Sequence, residues 1–331
     1  MSVKRIWFAV QLLVTVALMA LLFRAFQWAQ FWEAIGRVPA WLYVGSFLVV
    51  LAGHALYACR WLLVLRAVGV GVRLARVVRV YFTSLFFGSF LPGTVGGDVA
   101  RVYLLGRTKG YAQVGASVLV DRALALTALS IVGTILMGVV ALPGEAFVVA
   151  RRVLAVVSLA CLGGVITAAW LPAPKRGAID AETRSAVAWR ERIRGLLGLV
   201  RQAVRTPATV LGVLFITLGY FTALAGVYQL FFSRFGIPAV GIGRILATVI
   251  VINVLSSIPV TVNGIGLREQ LHFLFFAALG VPKEAAVSVS LILFGHTLAA
   301  ALVGGVVWLV KRSGDAVVTI PANPTEAAAN R

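Results

Sequence analysis

The chain has 331 residues, of which 61% are hydrophobic and 12% charged, with a net charge of +19. That balance is too apolar for a soluble domain of this length and points to a bilayer as the solvent. The positive charge does not indicate nucleic acid, because the arginines flank apolar spans, where they favour the cytoplasmic side and the anionic lipid surface.

Runs of about 20 apolar residues, the length a helix needs to cross a hydrocarbon core, occur near 6–26, 40–59, 113–141, 153–171, 208–232 and 287–310. Lys4 and Arg5 place the N-terminus in the cytoplasm, and the first run is too long for a signal-peptide core and lacks a small-x-small cleavage site. It is read as a retained helix. Arg60, Arg66, Arg73, Arg76 and Arg79 then mark the return to the cytoplasm, with 62–79 an amphipathic stretch at the interface. The arginine-rich stretch 172–206 is read as a polar cytoplasmic loop, and Lys311 and Arg312 close the last span inside. Residues 1–312 thus form one membrane domain, and 313–331 a disordered cytoplasmic tail. The expected location is the bacterial plasma (inner) membrane, multi-pass, with both termini cytoplasmic.

Two apolar regions do not fit single crossings. Region 80–106 begins and ends on the cytoplasmic side, and 245–280 on the external side, so each should dip in and return by one face; the alternative is a pair of tightly turned full crossings, which is physically tight for 80–106 because two crossings need about 40 residues. The first contains Pro92, Gly93, Gly96 and Gly97 before Asp98 and Arg101; the second contains Pro259, Asn263, Gly264 and Gly266 before Arg268 and Glu269. Proline removes a backbone donor and glycine admits angles other residues avoid, so both helices must break. A broken backbone at membrane depth is tolerated only inside protein or against water. The similar order of parts, entering from opposite faces, predicts an all-α polytopic helical bundle with two broken re-entrant helices in an inverted-repeat arrangement. Such breaks point to a substrate site near the midplane.

Intramembrane charges are costly and mark functional candidates. Asp98, Asp121 and Glu269 all fall at membrane depth, beside Arg101, Arg122 and Arg268. Asp121 and Arg122 are also open to a purely structural reading as an ion pair. Arg101 and Arg268 are expected to converge on one cavity and grip a lipid phosphate, with Asp98 and Glu269 orienting them or holding a cationic headgroup. His54, His272 and His296 match no ligand pattern and are read as hydrogen-bonding between helices. The tryptophans, Trp61 and Trp308 among them, are read as interfacial belts. Cys59 and Cys161 form no framework or metal motif, and no catalytic, cofactor or metal residues are expected.

At Arg60-Trp61-Leu62-Leu63, Leu91-Pro92-Gly93, Gly96-Gly97-Asp98, Arg101, Asp121-Arg122, Ile258-Pro259 and Gly264-Ile265-Gly266-Leu267-Arg268-Glu269 the sequence resembles the lysylphosphatidylglycerol synthase transmembrane-domain, or flippase-like, family. It departs from the family in having Asn263 where glycine is common, and Gly88-Ser89 where an asparagine-containing stretch is usual. The resemblance implies movement of a phospholipid or lipid-linked headgroup between leaflets, with membrane lipids, anionic ones above all, as partners. The family's fused soluble aminoacyl-transfer domain finds no room before Arg331, so that activity is not expected and the chain is not read as an enzyme. The alternative is a membrane accessory or scaffold subunit that presents lipid-linked substrate to a separate glycosyltransferase or synthase. A homo-oligomer is a further possibility, and no nucleic acid or cofactor is implied.

Overall fold

The computed structural model describes residues 3–25, 28–90, 96–170, 198–258, 260–261 and 264–315. Within them the chain folds into helices: α1 (Val3–Ala25), α2 (Trp28–Gly36), α3 (Ala40–Ala67), α4 (Leu74–Phe90), α5 (Gly96–Lys109), α6 (Tyr111–Val139), α7 (Glu145–Trp170), α8 (Pro207–Arg234), α9 (Ile242–Ser256), α10 (Leu267–Ala278) and α11 (Lys283–Asp315). No strand occurs among the described residues. Helices α3, α6, α7, α8 and α11 are long and apolar enough to cross a membrane.

The two interrupted regions are built differently. Helices α4 and α5 have 17 and 14 residues, and α9 and α10 have 15 and 12. At about 1.5 Å per residue, each falls short of the roughly 30 Å core. Each pair therefore forms a broken, re-entrant hairpin. Their surroundings match: α3 packs on α4 as α8 packs on α9, α5 on α6 as α10 on α11, and α4 on α11 as α9 on α6. Helices α3 and α8 pack on each other. This is the contact pattern of a two-fold repeat, and α7 supplies the odd crossing that inverts the second half.

Two apolar cores are stacked along the bundle. One gathers Trp61, Leu65, Val77, Leu105 and Val118 beneath α4–α5, towards the end carrying Arg66, Arg73, Arg76, Arg107 and Lys109. The other gathers Leu42, Phe231, Ile245, Phe275 and Phe276 beneath α9–α10 at the opposite end. Helix α11 can approach α4 closely because position 304 is glycine: a Cβ there would sit 1.9 Å from the Phe82 carbonyl oxygen.

Several boundaries differ from the sequence reading. Helix α3 continues to Ala67 and α4 starts at Leu74, so the expected interfacial stretch 62–79 is mostly helix belonging to these two elements. Helix α7 begins at Glu145 rather than 153, which takes Arg151 and Arg152 into the helix with exposed side chains. Long arginines at a helix end can reach the interface, so the apolar run underestimates the helix. Most of the 172–206 stretch and the tail beyond Asp315 lie outside the described residues; residues 198–204 are helical.

Candidate functional site

At the first break, Pro92 and Gly93 lie outside the described residues, and Gly96 and Gly97 open α5. A Cβ on Gly97 would stand 3.0 Å from the Ser84 carbonyl oxygen, and one on Gly88 would stand 3.0 Å from the Gly97 Cα. The two arms thus meet backbone to backbone. Asp98, third in α5 and buried, pairs with Arg122 of α6 and lies 3.8 Å from Arg101.

At the second break, Pro259 and Asn263 lie outside the described residues, while Gly264 and Gly266 take φ of 74° and 83°, the left-handed region that glycine adopts without penalty. The Gly266 N–H donates to Glu269 Oε2 at 2.8 Å, so the third residue of α10 caps the start of its own helix. Arg268 Nε and Nη2 donate to Glu269 Oε1 at 3.0 and 2.5 Å, and Ser290 Oγ lies 3.5 Å from the same oxygen. Glu269 is 2% exposed and both its oxygens are engaged. A Cβ on Gly266 would stand 3.0 Å from the Leu18 Cβ, so α1 seats against this break.

The pairing around Asp121 differs from expectation. Its partner is Arg60 of α3, whose Nε and Nη2 donate to the two carboxylate oxygens at 2.8 and 2.9 Å, while Arg60 Nη1 donates to Thr217 Oγ1 of α8 at 3.0 Å. Arg122, on the next residue of α6, points elsewhere and reaches Asp98. Adjacent residues on a helix lie about 100° apart, and here Asp121 and Arg122 turn to different helices, α3 and α5. Trp61 also departs from its reading: it is fully buried and its Nε1 donates to Ser117 Oγ at 3.0 Å. Its place is a core, not a belt.

Between the two cores lies a cavity of about 240 Å³. Helix α3 contributes His54 and Tyr57, α8 contributes Tyr220 and Tyr228, α9 contributes Asn253 and Ser256, α10 contributes Arg268 and His272, and α11 contributes Ser290 and Thr297. Arg268 is on this wall; Arg101 is not. Arg101 lies 4.4 Å over the Tyr81 ring and 5.5 Å from that of Trp61, with Nε donating to Ser84 Oγ at 3.3 Å. The expected convergence of the two arginines on one cavity is therefore replaced by one arginine at the wall and one held behind an aromatic layer. Asp98 instead lines a separate groove of about 540 Å³ between α5 and α6, with Val99, Val102, Gly115 and Leu119.

His272 behaves as read, bonded to the Tyr228 hydroxyl at 2.6 Å and to the Arg268 carbonyl at 2.7 Å. His54 does not. It is 9% exposed and neither ring nitrogen has a partner, and the Ser256 hydroxyl is likewise buried without one. Buried polar groups are nearly always satisfied, so two enclosed orphans on residues beside one cavity are unusual. Sequence reading missed His54 as a wall residue; the faint signal is that Val50, His54 and Tyr57 share one face of α3 at spacings of four and three. Among the described residues no group of His, Cys, Asp and Glu is placed to hold a metal ion.

Residues 8–305 match the family described as the lysylphosphatidylglycerol synthase TM region. The chain belongs to that family. It is also similar to a "UPF0104 membrane protein" of Methanothermobacter thermautotrophicus, with 26% identity over 262 residues that cover 72% of this chain and 74% of the relative. No solved structure matches it. The family membership, the five long apolar helices and the paired broken hairpins together make this a multi-pass membrane protein with the flippase-like fold.

Proposed function

We propose that this flippase-like protein moves a phospholipid, or the headgroup of a lipid-linked molecule, between leaflets, receiving the headgroup in the cavity walled by α3, α8, α9, α10 and α11. One observation carries the reading: a cavity walled by α3 and by helices of the second half is lined by Arg268 together with Asn253, Ser290 and Thr297. Charged groups at membrane depth are costly and usually face a bundle interior or a water path, so such a wall suits a polar guest.

In this reading Arg268 meets the lipid phosphate, and Glu269 holds Arg268 in its orientation. Asp98, Arg101 and Arg122 form the corresponding polar cluster of the first half, and the groove beside Asp98 receives an acyl chain while the headgroup crosses. Gly96, Gly97, Gly264 and Gly266 serve to let the backbone turn and pack closely at the two breaks, and Pro92, Gly93, Pro259 and Asn263 are assigned to the same breaks from the sequence. Asp121 is assigned to structure through Arg60. The arginine-rich end of the bundle is cytoplasmic, as are both termini, and no chemistry is done on the lipid.

The test is transfer in proteoliposomes carrying fluorescent phosphatidylglycerol, with dithionite bleaching of the outer leaflet. The wild-type protein should make nearly all of the label accessible, and Arg268→Gln should leave the inner half protected. Lipid binding without any transfer would support instead a subunit that presents lipid to a separate glycosyltransferase or synthase.

A further inference from the structure

We propose that the arginine-rich end of the bundle holds a second binding site, a pocket at the base of the first broken hairpin that takes a phosphate group carrying two or more negative charges, that is, a phosphomonoester or a diphosphate. The site is separate from the Arg268 cavity, and the proposal does not depend on what that cavity receives.

The pocket has a volume of about 510 Å³ and is lined by Gly71, Val72, Arg73, Arg76 and Lys109. Small-molecule sites occupy roughly 300–1,000 Å³. Gly71 to Arg73 belong to the segment joining α3 to α4, Arg76 stands in the first turn of α4, and Lys109 is the last residue of α5. The two arms of the hairpin therefore meet here, at the ends remote from the break. No acid is on the wall.

Charge is what singles the pocket out. Among the described residues, Arg37, Arg60, Arg101, Arg122, Arg268 and Lys283 each lie within ion-pair distance of a carboxylate, and Arg73, Arg76 and Lys109 do not. The acids nearest to the pocket in sequence, Asp98 and Asp121, are buried and already engaged, one by Arg122 and Arg101 and the other by Arg60. Three cations thus share one concavity with no counter-charge among the described residues. An anion from outside relieves their mutual repulsion.

An arginine that merely anchored a span to the lipid surface would need no fixed direction. Arg76 has one. Its Nη2 donates to Thr108 Oγ1 at 2.8 Å, and that hydroxyl donates in turn to the Leu105 carbonyl oxygen at 3.2 Å. The guanidinium is thereby held across from α4 to α5, while Nε and Nη1 stay available for phosphate oxygens, which its planar donor geometry suits. Lys109 adds an ammonium with three donors. A phospholipid diester, with its single charge, would leave two of the three cations uncompensated. A phosphomonoester carries about two negative charges near neutral pH and a diphosphate more, so either spans from Arg76 of α4 to Lys109 of α5 and clasps the hairpin at its base.

The test is thermal unfolding and calorimetric titration of the full chain in a neutral detergent. Potassium pyrophosphate and dimethyl phosphate are the soluble probes, with potassium chloride at matched ionic strength as the reference. Farnesyl diphosphate and farnesol in the same micelles ask whether the group arrives on a lipid. Pyrophosphate should bind saturably and raise the unfolding temperature, and dimethyl phosphate should bind at least about tenfold more weakly. Arg73→Gln combined with Lys109→Gln removes two side chains that pair with no described acid. The unliganded unfolding temperature should therefore hold, while pyrophosphate affinity falls at least about tenfold, the scale of one lost charge-assisted hydrogen bond. Lys109→Gln alone should show a smaller loss and keeps the comparison if the double variant folds poorly. Arg152→Gln, exposed on α7 and outside the pocket, should bind as the wild type does.

Farnesyl diphosphate binding more than about tenfold tighter than pyrophosphate, with farnesol inert, would support the site and make its ligand a lipid. Equal affinity would support the site and make its ligand a soluble anion. Pyrophosphate acting no differently from chloride at equal ionic strength, or binding the double variant as tightly as the wild type, would overturn the site. Dimethyl phosphate binding as tightly as pyrophosphate would overturn the charge class assigned to the ligand.

Discussion

Asp98 and Glu269 occupy the same place in the two broken hairpins: each is the third residue of the helix that restarts after the break, and each is buried against an arginine. A carboxylate in the first helical turn meets unpaired backbone N–H groups and the positive end of the helix dipole, so it is favoured there on both halves. The two differ in enclosure. Glu269 is 2% exposed, whereas the Arg122 partner of Asp98 is more than half exposed. Glu269→Gln should therefore destabilise the fold by about 3–5 kcal/mol, the range for stripping a buried charge of its partner. Asp98→Asn should cost less. Thermal unfolding in detergent measures both, and an unchanged midpoint for Glu269→Gln would contradict the assignment.

The pair formed by Arg60 and Asp121 ties α3 and α6 together, with Thr217 bringing in α8. Either Arg60→Met or Asp121→Leu alone should lower stability strongly. The double variant should recover much of the loss, because two matched apolar side chains no longer leave a charge unpaired. Additive losses in the double-mutant cycle would show that the two residues act apart.

Much of this was legible in the sequence, and the division follows from physics. The breaks announce themselves, because proline and glycine change the backbone wherever they stand, and the third-position acids follow each break at a short fixed distance. The partner of Asp121 was not legible: Arg60 is 61 positions away and was read as the flank of a span ending at 59. A helix apolar on all sides has no polar stripe to separate the lipid face from the bundle face, so periodicity cannot say where Arg60, Trp61 or His54 point. Arg101 and Arg268 follow similar breaks, yet one is capped by Tyr81 and the other faces the cavity, a difference that depends on rings from other helices.

Arg268 uses two nitrogens on one carboxylate oxygen and offers the third outward, a geometry that a lysine ammonium cannot reproduce. Arg268→Lys should keep folded yield and charge but reduce lipid transfer at least about tenfold, a loss of about 1.4 kcal/mol in transition-state stabilisation. Arg205→Lys, at the arginine-rich end, should transfer lipid at the wild-type rate. Equal rates in all three proteins would remove Arg268 from the site.

The orientation can be read with thiol reagents once Cys59 and Cys161 are replaced by alanine. Both Arg73 and Glu145 are exposed, at opposite ends of the bundle. A cysteine at Glu145 should label rapidly with an impermeant maleimide in intact cells, and one at Arg73 only after permeabilisation. The reverse pattern would invert the topology.

The central claim is that a lipid headgroup occupies the space between the two cores, and cross-linking from the headgroup tests it most directly. Phosphatidylglycerol carrying a diazirine on its glycerol, reconstituted with the wild-type chain and photolysed, should mark peptides containing His54 and Tyr57 of α3 and Asn253 and Ser256 of α9. Those cross-links should fall away in Arg268→Gln. Cross-links confined to outward-facing positions such as Val156 and Leu159, which are 66% and 71% exposed, would place the headgroup outside the bundle and contradict the account.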